Sequence, residues 1–298
     1  DKGACKIMFK IITDTSANID SKLLERHHIG VIPFSFYVND EGLICTDTAR
    51  FDGEAYYAAM RAGTRVHTSQ VTPQQYMDCF EPLYKAGREI LYVGMSSGIS
   101  GAYASAESAA AQLREEYPDI RLRLVDTLGA SLGEGLLVLK AVECRAQGMS
   151  LDETADLLLE LRYRMCQAFT VEDLKYLRRS GRLSNAKALI GTMLQIKPLL
   201  QGNREGKIIS FARARGRKQS IEALAAQYEQ FAEDTGDPIG IAHAGCADDA
   251  KLLEKLLRRT SIPPKRVITV CYEPVTGAHV GPGTLALFFW GQPEFRQA

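Results

Sequence analysis

Short apolar runs rich in Ile, Val and Phe alternate along this chain with stretches whose apolar residues recur every three or four positions. The first texture is that of buried strands, the second that of amphipathic helices. "FKIIT" (9–13) reads as a strand closed by an Asp14-Thr15-Ser16 turn, and "SKLLERHH" (21–28) as a helix. "VIPFSFYV" (31–38) reads as a second strand, with Pro33 arguing for an edge or a bulge. "FDGEAYYAAMRAG" (51–63) is helical, and Thr72 followed by Pro73 is an N-cap with proline at the first helical position. "EILYVGM" (89–95) and "RLRLVDT" (121–127) are strands, while 100–117 and 131–148 are helices. This alternation implies parallel βαβ units in an α/β layer structure.

Beyond Gly148 the texture changes. Ser150 followed by Glu153 is a capping box opening a helix over 150–165. "CQAFTV" (166–171) is a short strand, and 174–194 is a basic helix broken near Gly181. "IKPLLQG" (196–202) and "GKIISFARAR" (206–215) are strands around a polar turn. Helices over 217–234 and 248–259 and strands over 239–243, 267–272 and 284–290 complete the pattern. Two α/β domains are expected, 8–149 and 150–298, with a ligand near their boundary.

Composition narrows the function classes. A chain of 298 residues, 46% hydrophobic, can bury a substantial core without disulfides. Its formal net charge is zero, so no bulk field draws it to nucleic acid. The seven cysteines form no C-x-x-C and read as reduced thiols rather than a disulfide framework or a metal site. No apolar run approaches the ~18 residues of a membrane span. Met8 opens directly into the first strand and reads as the natural start, with residues 1–7 an added segment. The first residues lack the basic-then-apolar pattern of a signal peptide, so a cytoplasmic location is expected.

Four segments carry candidate chemistry. "VGMSSGISGAY" (93–103) contains Gly94-Met95-Ser96-Ser97-Gly98, which matches the G-x-S-x-G nucleophile elbow. Asp126 and His279 follow Ser96 in the order serine, acid, histidine used by α/β hydrolases, although an H-G-G-G-type oxyanion segment is lacking. The same stretch also suits a bound anion. Ser96, Ser97 and Ser100 precede a helix whose first N–H groups lack partners. Thr68-Ser69-Gln70 is a second polar cluster, and His279 lies among Gly277, Gly281 and Gly283. Arg178, Arg179 and Arg182 form a basic cluster, as does "RARGRK" (213–218). Each basic cluster reads either as a solvated face or as contact with an acidic partner.

"IITDTSANI", "TSQVTPQQY", "VGMSSGISGAY", "VDTLGASLGEG", "LKYLRRSGRLS", "QIKPLL" and "GAHVGPGTLALFF" occur in that order. Together they resemble the DegV family of bacterial fatty-acid-binding proteins, over residues 8 to 291. "SGAY" stands where the family usually has Ser-Gly-Thr-Tyr, and "RSGR" where Gly-Gly-Arg is common. The resemblance implies a parallel-sheet domain followed by one with a mixed or antiparallel sheet, and a long-chain fatty acid as ligand. It implies no cofactor. It also implies a non-catalytic carrier that presents the fatty acid to the catalytic subunit of a fatty acid kinase, which forms an acyl phosphate. Neither nucleic acid nor integral membrane association is implied, and transient membrane contact is left open. By motif position the carboxylate contacts would be Thr68, Ser69, Ser96, Ser97 and His279. Arg182 and Arg215 would face the head group or the kinase. The alternatives are an esterase using Ser96 and a regulatory module that binds a small anion.

Overall fold

The computed structural model describes residues 9–45, 48, 50–184 and 195–297. The chain begins with β1 (Phe9–Asp14), α1 (Ser21–Arg26) and β2 (Gly30–Ile32). Asp14 ends β1 by capping a 3-10 turn, its side chain accepting the Ser16 N–H. The run 31–38 does not form one strand. Pro33 separates β2 from β3 (Ser35–Val38), and the two belong to different sheets. β3 pairs antiparallel with β4 (Glu41–Ile44) and, after α2 (Gly53–Arg61), with β5 (Val66–Ser69). Thr68 and Ser69 of the second polar cluster therefore sit on a strand.

Next come α3 (Pro73–Lys85), β6 (Glu89–Gly94), α4 (Ala102–Glu116) and β7 (Leu122–Asp126). Thr72 and Gln75 form a full capping box at the head of α3. The first sheet is parallel throughout, in the order β2-β1-β6-β7. Its central strands are buried almost continuously, because helices cover both faces. The chain leaves β1 toward opposite sides of the sheet. The crevice beyond the carboxyl ends of β1 and β6 is thus a topological switch point, where α/β folds place ligands.

α5 (Leu132–Ala146) and α6 (Leu151–Leu161) lead into the second sheet, with the Ser150–Glu153 capping box in place. It is built from β8 (Met165–Thr170), β9 (Ile196–Gly202) and β10 (Ile208–Arg215), with α7 (Lys175–Ser180) between the first two. α8 (Arg217–Phe231), β11 (Ile239–His243), α9 (Ala247–Leu257), β12 (Val267–Cys271), α10 (Pro274–Val280) and β13 (Leu285–Trp290) follow. The order β10-β9-β8-β13-β11-β12 is mixed, with only β11 and β12 parallel. Gly181, in the left-handed region at φ 72°, stops α7 as expected. The rest of the helix read over 174–194 falls on residues 185–194, outside the described residues.

One apolar core runs from Phe9 to Trp290 and draws on both large sheets. A second fills the space between the six-stranded sheet and helices α8 and α9. Burial of this apolar area supplies most of the driving force.

Candidate functional site: a mainly apolar cavity

A cavity of about 420 Å³ lies beyond the carboxyl ends of β6 and β7. Met95, Ile99 and Ser100 reach it from the turn after β6, and Leu128, Gly129 and Ala130 from the turn after β7. The second sheet contributes Phe169 and Phe288, and α10 contributes Val275, Thr276 and His279. Much of the wall is thus apolar, which suits a ligand with a long hydrocarbon part.

The polar groups converge. Thr68 Oγ1 on β5 lies 2.7 Å from His279 Nε2 on α10. Ser69 and Gln70 continue the same wall. Arg182 also lines the cavity, and its Nε donates to the carbonyl of Ile99 at 3.3 Å. Burial pushes the His279 imidazole down to about 4, and the charges of Arg182 and Arg179 add to the shift. At neutral pH the ring is therefore uncharged, with one N–H donor and one acceptor nitrogen.

His279, set among glycines in the sequence, occupies the last turn of α10. Glu273 caps that helix, accepting from the N–H groups of Val275 and Thr276 at 2.6 Å each, with Pro274 in the first turn. Gly277 is required by packing, since a Cβ there would lie 1.9 Å from the Tyr57 hydroxyl.

Ser96 and Ser97 are not among the residues lining the cavity. Ser96 is fully buried, donates to the Gly206 carbonyl at 2.8 Å and accepts the Gly98 N–H at 3.1 Å. Gly206 lies at φ 72°, and a Cβ there would sit 2.1 Å from Ser96 Oγ. Ser96 thus fastens the β9–β10 hairpin turn to the first sheet. Ser97 donates to Asp126 Oδ2 at 2.5 Å through its hydroxyl, and its N–H donates to Oδ1 at 3.2 Å. The serine–acid–histidine set is not assembled: Ser96 is bonded to Gly206, Asp126 to Ser97 and His279 to Thr68. Arg215 is exposed at the end of β10, opposite Ile196.

Two wall residues, Thr276 and Gln167, escaped the motif reading, and a third, Ser100, was named only among the anion candidates. Ser100 faces the cavity although Ser96 and Ser97 do not. Thr276 stands one turn before His279, in a segment whose glycines concealed a helix. Gln167 lies on buried β8 and holds the 128–130 turn, donating to Leu128 O at 3.1 Å and accepting from Ala130 N at 3.3 Å. A glutamine inside an apolar strand was the available signal.

Fold and cavity define an α/β protein of two large sheets and a small one, with a mainly apolar ligand site. A family model described as an uncharacterised protein of the DegV family matches residues 8–292, and the chain belongs to that family. A DegV domain-containing protein of Clostridium perfringens is 36% identical over 287 residues, covering 96% of this chain and 98% of that protein. A DegV family protein from Thermus thermophilus, described as fatty-acid-binding, has a similar structure. Its TM-score is 0.86 at 27% identity, over 96% of this chain and 100% of that one. A fatty-acid-binding DegV protein from Streptococcus agalactiae gives a TM-score of 0.82 at 27% identity, over 95% and 99% of the two chains. Among the described residues no helix is long and apolar enough to cross a membrane.

Proposed function

We propose that this chain is a non-catalytic carrier that holds a long-chain fatty acid in the cavity. The carrying observation is an apolar chamber of about 420 Å³ with the Thr68–His279 pair in its wall. The likeness to the Thermus thermophilus protein supports the same reading. Burying a tail of about sixteen carbons at ~0.8 kcal/mol per methylene gives roughly 12 kcal/mol of gross transfer free energy. Ordering the tail and docking it offset much of that. A buried carboxylate is costly unless donors surround its oxygens. Thr68, Ser69 and His279 donate directly in this reading, with Arg182 beside them. Ser96 and Ser97 act one step back by fixing the turn that carries Ser100.

Neutral donors hold the carboxylate without a tight ion pair, which leaves its oxygens able to react. The carrier presents this group to a separate ATP-using kinase subunit that makes the acyl phosphate. In this reading exposed Arg215 faces that partner. The test is denaturing extraction of the purified protein followed by mass spectrometry. About one unmodified long-chain fatty acid per chain is expected. A polar ligand, or no lipid after incubation with fatty acid, would overturn the reading.

A further inference from the structure

The segment Asp14-Thr15-Ser16, at the switch point of the first sheet, does not line the cavity. It builds a buried acid cluster instead. Asp14 is 1% exposed, and Glu134 in the first turn of α5 is fully buried. The hydroxyl of Ser16 lies between them, 2.6 Å from Asp14 Oδ1 and in hydrogen-bond contact with Glu134 Oε2. On the far side, Thr13 Oγ1 lies 2.9 Å from Glu134 Oε1 and 2.8 Å from the Val93 carbonyl.

Proton counting decides what this arrangement holds. Ser16 has one hydroxyl proton and two carboxyl oxygens to satisfy. With both acids ionised, one short contact would set two oxygens together with no proton between them. It would also leave two anions buried away from solvent, which is very costly. A single carboxyl proton removes both problems. Placed on Glu134 Oε2, it is donated to Ser16 Oγ, and the Ser16 proton then goes to Asp14. The Thr13 hydroxyl is shared between Val93 O and Glu134 Oε1.

The other donors tell the two acids apart. Asp14 Oδ1 also accepts the Ser16 N–H at 2.9 Å. Its Oδ2 accepts the Tyr92 hydroxyl at 3.0 Å and the Met95 N–H at 3.2 Å. These three donors favour the charged form of Asp14. Among the described residues, Glu134 contacts only the two hydroxyls already counted. We propose that Glu134 is a stored-proton site: it carries a proton at neutral pH that it shares with ionised Asp14 through Ser16.

The groups bearing on the pair are Tyr92 on β6, Tyr76 on α3 and Glu273 at the head of α10. None brings a positive charge: the two phenols stay neutral, and Glu273, when ionised, opposes a second negative charge. Burial, with the Asp14 charge second, raises Glu134 well above the ordinary carboxylate range. The cluster backs the binding wall on two sides. Asp14 holds the N–H of Met95, a wall residue, and Glu273 caps the helix that carries His279. The stored proton keeps one negative charge out of the interior behind a site suited to an anionic head group.

The test is proton release on urea unfolding of the full chain, compared at pH 7 between wild type and Glu134→Gln. Glutamine keeps one donor and one acceptor in the same place. Wild type is expected to release about one proton more than the variant. Infrared spectra give a second readout. At pH 7 buried Glu273, raised to about 7, also contributes a protonated-carboxyl band, so the folded wild type should show a stronger band than Glu134→Gln, and Asp14→Asn should retain that excess. Equal release by both proteins would overturn the proposal. Should Glu134→Gln fail to fold, absence of any protonated-carboxyl band from wild type would overturn it alone.

Discussion

Thr68 and His279 meet at 2.7 Å although 211 positions separate them in the chain. The contact joins β5, in the small sheet, to α10, which precedes the last strand of the large one. It sets a hydroxyl and an uncharged imidazole side by side in a mostly apolar wall. That pairing is the basis for placing the head group of the ligand there.

Replacing His279 tests that placement. His279→Ala removes a donor from the head-group end and leaves the Thr68 hydroxyl without its partner. Fatty acid affinity should fall by about 1–3 kcal/mol, roughly five- to 150-fold. Displacement of a fluorescent fatty acid measures it, and wild-type affinity in both His279→Ala and Thr68→Val would rule the pair out.

Acid should act on the same residue. The imidazole lies at about 4 in the folded protein, against 6.5 for a free histidine. Between those values the unfolded chain binds the extra proton and the folded one does not. Stability from this residue is therefore complete above pH 6.5 and is lost as pH falls toward 4. The total is roughly 3 kcal/mol. Urea unfolding across this window should be steeper in pH for wild type than for His279→Gln. Equal slopes would contradict the assignment.

Ser96 should be structurally necessary and chemically inert. Its hydroxyl is buried and engaged with Gly206 and Gly98. Ser96→Ala should cost about 1–3 kcal/mol of stability by orphaning that carbonyl and N–H. A fluorophosphonate probe should leave Ser96 unmodified. Labelling of this residue, or turnover of an acyl ester that Ser96→Ala abolishes, would restore the hydrolase reading.

Arg296 should rank among the most sensitive positions. It is 1% exposed, and its guanidinium donates to the carbonyls of Leu128, Asn203 and Met165 at 2.6, 2.9 and 2.7 Å. These carbonyls come from both halves of the chain, and Leu128 also lines the cavity. Arg296→Leu strands several buried acceptors and should lower stability by about 3 kcal/mol or more. A denaturant midpoint within error of wild type would refute this.

In the proposed carrier role, Arg215 would separate binding from presentation. Arg215→Ala should keep wild-type fatty acid affinity and reduce acyl-phosphate formation with the kinase subunit several-fold. Unchanged turnover would remove Arg215 from the partner surface without touching the binding site.

The elements that could be read from sequence were those specified by near neighbours. The Thr72 and Ser150 capping boxes, the Gly181 stop and the apolar runs of β1, β6 and β13 all behave as their local chemistry dictates. β5 was missed because its four residues bury only Val66 and show no period. α10 was missed because Gly277 and Gly281 resemble loop residues, whereas Tyr57 and Tyr176 occupy the space their side chains would fill.

The family motifs brought Thr68, Ser69, Arg182 and His279 to attention, and the cavity wall contains all four. They did not reveal that Ser100, rather than Ser96 or Ser97, faces the cavity. The sequence by itself determined the alternation of strands and helices, the caps and the polar stretches, because each depends on residues a few positions apart. Only the tertiary structure decided which hydroxyls remain open to a ligand. That depends on where the 203–206 turn packs against Ser96 and where α10 meets β5, contacts made by burying apolar surface between segments far apart in the chain.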